Sequence, residues 1–243
     1  MIAMFIRRLS FLIFALLGIG MFLYFPSATA ETASIGQMVW VSGSVQATGS
    51  DNTTRSLQRR SPIYAQDTVV TGSNGSGEIV FTDGSMVTLR AATTFRIDQY
   101  KFSGAGAGGN KYISSLAKGG FRTITGLISK GSPDNYQVNT PVATIGVRGT
   151  DYSLFYGRSG LLVKLDRGAI VVTNHAGSLE MSKARLRIYA QITDLNLPPK
   201  LLNQQPQEFN QQPGVTIVSP PPSGGGGGGA AGGGGGNSVC VTP

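Results

Sequence analysis

Between residues 36 and 190 the apolar positions come in short runs that mostly alternate with polar ones, broken by glycine, asparagine and aspartate. Alternation of period two puts one face of a strand on a core and the other in water. It predicts strands at Met38–Val45 around Trp40, Thr68–Thr71, Gly77–Phe81, Ser85–Leu89 and Thr94–Ile97. It predicts more at Tyr112–Leu116, Phe121–Ile128, Tyr136–Asn139, Asp151–Tyr156, Leu161–Leu165 and Ala169–Thr173, with weaker runs at Leu179–Met181 and Leu186–Ile188. Asp83-Gly84 supplies the positive φ angles of a two-residue hairpin turn. In that turn Phe81 would face Met86 and Val80 would face Val87, which predicts strands buried on both sides. Many strands begin just after a glycine, as at Gly43, Gly77, Gly119-Gly120 and Gly168. No long amphipathic run is present, so the class is all-β, a single β-roll or sandwich or a solenoid-like domain.

The two ends of the chain follow other patterns. Arg7 and Arg8 precede an apolar run from Leu9 to Phe25, and Ala28-Thr29-Ala30 follows it. A positive end, a hydrophobic middle and small residues at the exit form a secretory signal peptide, with cleavage expected after Ala30. The competing reading keeps Leu9–Phe25 as a membrane anchor, although the run is short for a bilayer span. Residues 191–222 are rich in Pro, Gln and Asn, and residues 223–243 are dominated by glycine. Such chain buries too little apolar surface to offset its ordering entropy, so 191–243 is expected to be a disordered tail. Val215–Val218 is the one further strand candidate there. The expected layout is a signal peptide at 1–30, a β domain at 31–190 and a flexible tail at 191–243. Cys240 is the single cysteine, which excludes an internal disulfide and leaves a free thiol or an intermolecular link.

Charge narrows the partners. The chain carries 20 basic and 12 acidic residues, a net +8, and +6 without Arg7 and Arg8. Basic residues cluster only at Arg59-Arg60 and at Lys183, Arg185 and Arg187, whose alternation puts them on one solvated strand face. That is not the clustered, aromatic-interleaved pattern of a nucleic-acid binder. The loop Ser103–Asn110 is glycine-rich but lacks the Gly-Lys-Ser/Thr ending and following helix of a phosphate loop. His175, the only histidine, sits in a hairpin-like Thr173–Gly177 segment without a catalytic partner or further metal ligands. Asp83, Asp98, Asp134, Asp151 and Asp166 mostly occupy turn contexts. The expectation is no enzyme, no cofactor and no metal.

The stretch Tyr136–Tyr152 contains Thr140-Pro141 and then Val147-Arg148-Gly149-Thr150. Upstream, Leu57–Asp67 leads to Thr71-Gly72, and Glu78–Ser85 carries Asp83-Gly84-Ser85. Lys118–Arg122 and Asp166–Ile170 each hold a glycine followed by an apolar residue. Together and in this order, over about residues 36–190, these segments resemble the FecR domain family. The resemblance implies an envelope-related regulatory or binding domain. The best-known members pass a signal from an outer-membrane receptor to a cytoplasmic sigma factor. Here only eight residues precede the apolar run and a Pro- and Gly-rich segment follows the β part, so that role is not carried over.

Within the motif, Pro141 fixes its own φ and pushes Thr140 into an extended shape. Gly149 is expected to adopt a backbone angle closed to other residues or to admit a close neighbour. Arg148 has five donors, enough to tie backbone carbonyls or to pair with Asp151 or Asp83; it is also the candidate partner contact. Asp83 reads as a turn residue. The expected function is a periplasmic or secreted binding or scaffold module that engages an envelope protein or glycan. A surface adhesion component and a membrane-anchored regulator are the alternatives.

Overall fold

The computed structural model describes residues 33–210 apart from Ser132, Lys183 and residues 185–187. The signal segment with Ala28 and Ala30, the strand candidate at Val215–Val218, the glycine runs and Cys240 lie outside the described residues. So do Lys183, Arg185 and Arg187. A second unit, Gly214–Pro243, lies wholly outside them.

Alternation gives strands over most of the expected runs, although Phe121–Ile128 is strand only to Ile124 and Leu186–Ile188 falls largely outside the described residues; the order is β1 (Gly36–Ser42), β2 (Val45–Thr48), β3 (Thr54–Ser56), β4 (Pro62–Ile63) and β5 (Thr68–Thr71). Next come β6 (Ser76–Phe81), β7 (Met86–Leu89), β8 (Thr94–Lys101), β9 (Lys111–Ile124) and β10 (Tyr136–Asn139). The last are β11 (Thr144–Gly157), β12 (Gly160–Asn174), β13 (Gly177–Ser182), β14 (Tyr189–Ile192) and β15 (Lys200–Leu202). Among the described residues the only helical pieces are 3-10 turns such as Ile128–Lys130 and Gln207–Phe209. The class is all-β.

The strands form one continuous sheet folded into two leaves. Leaf one runs β4-β1-β6-β7, then the second half of β9, the second half of β11, the first half of β12, β14 and β15. Leaf two runs β3-β2-β5-β8, then the first half of β9, β10, the first half of β11, the second half of β12 and β13. Three long strands therefore pass through both leaves, and bulges and glycines let a strand turn such a corner. Side chains of the two inner faces make one core. Phe81 of leaf one meets Tyr112 of leaf two edge-on at 5.2 Å between ring centroids, and Phe95 of leaf two meets Phe121 of leaf one at the same distance. Tyr112 stacks on Tyr136 at 4.3 Å.

Gly43 precedes β2 as expected, but the other glycines read as strand starts lie inside strands. Gly119 and Gly120 lie within β9, and Gly168 lies within β12. The sequence therefore cut β9 and β12 into pieces and missed the first half of β11, because a glycine that bends a strand and one that ends it look alike without the pairing partners.

The Asp83 hairpin differs by one residue from its expected register. Val80 pairs with Met86 and Ile79 with Val87, and the Phe81 amide donates to the Ser85 carbonyl at 2.9 Å. The loop has three residues, Thr82-Asp83-Gly84, closed by the Gly84 amide on the Phe81 carbonyl, and Gly84 takes φ +82°. This is a turn followed by a glycine bulge, and the extra residue shifts β7 by one against β6, so Val87 and Leu89 fall on the same face as Ile79 and Phe81. Ile79, Phe81, Val87 and Leu89 are buried, while Val80 and Met86 are half-buried on the outer side. The hairpin is thus buried on one face, not two.

The expected domain boundary at residue 190 falls inside β14. Ala190 and Ile192 are buried against the core, and β15 then pairs with β14 beyond Pro198-Pro199. Prolines tolerated at the start of an edge strand do not end a fold. The ordered chain continues through the 3-10 turn at Gln207–Phe209, which lies across leaf one with Ser159 Oγ 3.3 Å from Glu208 Oε1.

Candidate functional site

The signature residues converge at one corner of the roll. Asp83 is buried, and its carboxylate accepts from the Ser85 amide (3.0 Å), the Ser85 hydroxyl (2.8 Å) and the Ile128 amide (3.4 Å). Its carbonyl accepts from the Leu127 amide, and Ser85 Oγ accepts from the Gly126 amide at 2.8 Å. One residue earlier, the Thr125 amide donates to the Thr150 carbonyl (3.0 Å) while the Thr150 amide donates to Thr125 Oγ1 (2.8 Å). Thr150 and Gly149, with φ +60°, form the corner of β11 opposite Gly168, with φ +85°. A Cβ on Gly168 would collide with the Gly149 carbonyl oxygen, so the two corners nest only because residue 168 is glycine. Asp83, Gly84, Arg148, Gly149, Thr150 and Gly168 thus belong to one connected region.

The other sequence-selected residues lie elsewhere. Gly119 and Gly120 form the β9 corner, where Thr93 Oγ1 accepts from the Gly120 amide at 3.0 Å and donates to its carbonyl. Thr140 and Pro141 make the loop between β10 and β11. There Thr140 Oγ1 donates to the Ala143 carbonyl (2.7 Å) and accepts from the Ala143 amide (3.1 Å).

The corner turns a cationic surface outward on leaf one. Asp151 has its side chain 6% exposed and holds Arg122 through two bonds, Nε to Oδ1 at 3.0 Å and Nη2 to Oδ2 at 2.7 Å. Arg167 Nη2 stands 3.9 Å from the same carboxylate, its side chain 76% exposed. The Asp151 hydrogen bond is the main reason the Arg122 guanidinium is held above its ordinary pKa. Arg148 is exposed on the leaf-two side of the β11 corner, opposite Ala169 and across the bulge from Asp151. Neither expected partner is available to it: Asp151 is taken by Arg122 and Arg167, and Asp83 by Ser85 and the Ile128 amide. Exposed Ile124, opposite Asp151 in register, and exposed Leu127 complete the surface.

The sequence missed Arg122 and Arg167 as site residues. Both stand in quoted motif segments, Lys118–Arg122 and Asp166–Ile170, but only the β9–β11–β12 register shows that they share Asp151.

Two hollows of about 560 and 550 Å³ flank Gln207 and Glu208 on leaf one. Arg90, stacked over the Phe155 ring at 5.5 Å, lines the second, and its pKa is lowered by burial. Among the described residues no group of three or more His, Cys, Asp or Glu side chains is placed to hold a metal ion. His175 is exposed in the β12–β13 turn. The buried tyrosines Tyr112, Tyr136 and Tyr152 have pKa values pushed up by burial, so they remain neutral core members.

Comparison with known proteins agrees with the motif reading. The family model described as FecR protein matches residues 67–176. Two structures of a candidate anti-sigma factor from Parabacteroides distasonis ATCC 8503 are similar at 14% identity and TM-score 0.43. They cover 58% of this chain, which itself spans 61% of their length. A structure described as a cell surface anchoring domain is 32% identical over 26% of this chain and 82% of its own length, with a TM-score of 0.25. No curated protein matches. The match begins at Asp67, whose buried carboxylate is clasped by Arg55 and the Tyr64 amide, and it ends in the β12–β13 hairpin. Residues 67–176 of this chain are a FecR domain.

Proposed function

We propose that this chain is a non-enzymatic binding module of the cell envelope, exported to the periplasm or beyond, that engages a protein or glycan partner through the arginine corner where the two leaves meet. The observation that carries this reading is the division of labour around Asp151. Its buried carboxylate is held by Arg122 through two bonds, with Arg167 at its edge 3.9 Å away and 76% exposed, while Arg148 across the bulge faces solvent and Ile124, opposite Asp151, and Leu127 are exposed. Arginine next to apolar side chains on a rigid sheet is the composition of binding hot spots. The corner is rigid because its backbone is tied to the Asp83 clasp and to Thr125. Residues 1–30 serve as the export signal in this reading, Ala28 and Ala30 mark its cleavage, and the segment after residue 210 acts as a tether.

Crosslinking in an envelope fraction tests it. The intact chain should yield a discrete crosslinked species that the Arg148→Ala/Arg167→Ala double variant loses while keeping its circular dichroism spectrum. An unchanged species from the folded double variant would overturn the assignment. Mass spectrometry of the exported protein tests the location: Glu31 at the N-terminus supports cleavage, and Met1 supports an anchor.

A further inference from the structure

The chain that follows β15 lies across leaf one as a strap. β15 ends at Leu202, and residues 203–210 belong to no strand. Their backbone bonds close on themselves, the Phe209 amide on the Pro206 carbonyl at 3.1 Å and the Asn210 amide on the Gln207 carbonyl at 2.9 Å. Side-chain bonds join the strap to the sheet where Tyr189 Oη donates to Gln205 Oε1 at 2.9 Å and Ser159 Oγ donates to Glu208 Oε1 at 3.3 Å. Most of its residues are exposed.

The sheet beneath the strap forms a groove with an apolar floor and a cationic end. Leu162 is 3% exposed yet stands outside the core cluster, because the strap is what covers it. Its register partner Phe155 faces outward as well, and the Arg90 guanidinium sits over the Phe155 ring, 5.5 Å from its centroid. The hollow of about 560 Å³ beside Gln207 and Glu208 is floored by Leu162 and Gln191, and the one of about 550 Å³ by Arg90 and Phe155. The strap thus fills part of the groove and leaves room along it. Burial lowers the pKa of half-buried Arg90, and the charge of Glu208 opposes that shift. A guanidinium fixed on an aromatic ring presents a planar fork suited to a carboxylate.

We infer that this groove docks a short acidic peptide segment of a partner protein, and that residues 203–210 occupy it as an internal stand-in which the partner displaces. The strap itself is the template for that occupant. It lays glutamine and proline over Leu162 and then brings a carboxylate, followed by an aromatic residue, to the Arg90 end. A segment held mainly by exposed side chains competes through its tether, which gives it an effective concentration on the order of millimolar. A partner peptide with the same charged contact and further contacts in the two hollows outcompetes it. The groove is separate from the arginine corner, so either assignment can fail without the other.

Fluorescence polarisation with a labelled peptide of residues 203–210 is the test. Full-length Glu208→Lys, whose strap has lost its carboxylate, should bind the peptide at least ~tenfold more tightly than the parent, because the charged contact no longer competes. The same peptide with its glutamate changed to glutamine should bind that variant at least ~tenfold more weakly. In the unmodified chain, excess peptide should speed hydrogen exchange at the amides of residues 203–210 and leave β12 unchanged. Equal affinity of the parent and the folded variant, equal affinity of the two peptides, or unchanged exchange in the strap would each overturn the inference. So would release of the strap by polyphosphate at equal charge, which would make the groove a general anion site. The exchange measurement uses the unmodified chain, so it decides the matter even if Glu208→Lys does not fold.

Discussion

Two glycines in the same corner separate backbone strain from steric exclusion. Gly149 takes φ +60° with open space where a Cβ would be, and Gly168 takes φ +85° with the Gly149 carbonyl in that space. An alanine at 149 should therefore cost only the left-handed backbone term, about 1 kcal/mol. At 168 the same change adds a backbone collision and should cost ~2 kcal/mol or more, a Tm drop of ~4–8 °C for a domain of this size. Thermal melts of Gly149→Ala and Gly168→Ala check the ordering, and equal losses would refute the nested-corner geometry. The motif itself was legible from the residues: Thr140-Pro141, Val147–Thr150 and Asp83-Gly84-Ser85 stand in the right order. The role of Arg148 was only half legible. Its five donors suggested a carboxylate partner, but strand register assigns Asp151 to Arg122 and leaves Arg148 facing solvent.

At the scale of elements, most strands were readable because alternation reports burial directly. The misreadings came where tertiary pairing decides. β9 and β12 continue round corners at glycines that looked like breaks, β11 begins before the Val147–Thr150 motif, and a three-residue loop at Asp83 shifted the β6–β7 register by one. The last two strands were assigned to a tail because their prolines and amides resemble linker. Yet Ile192 is 1% exposed, and Leu162 on the outer side of leaf one is 3% exposed where residues 202–208 lie over that face. A chain ended after residue 190 should lose at least ~2 kcal/mol relative to one ended after 210, since fully burying one isoleucine is worth ~1.5–3 kcal/mol. Urea midpoints of the two truncations measure this, and coincident curves would return β14 and β15 to the tail.

For the whole molecule, the tyrosines set the alkaline limit. Burial is the largest cause raising Tyr100 to about 12, and it also raises Tyr112, Tyr136 and Tyr152. A pKa raised in the folded state means that the native protein keeps protons the unfolded chain releases. Their contribution is complete below the unfolded tyrosine value of ~10 and is lost as pH climbs through the folded values. Stability should thus fall steeply above pH ~10, with phenolate absorbance rising together with the loss of β-sheet circular dichroism. Phenolate appearing well before unfolding would show that these rings are open to solvent.

By itself the sequence determined the all-β class, the alternating core and the FecR signature, because burial period, turn chemistry and short motifs are local properties. Tertiary structure alone decided which strands bend between leaves, which arginine holds Asp151, and that the chain beyond residue 190 still pairs with the sheet. Those depend on register, and register is set by pairing between segments far apart in the chain, where a shift of one residue exchanges the inner face for the outer.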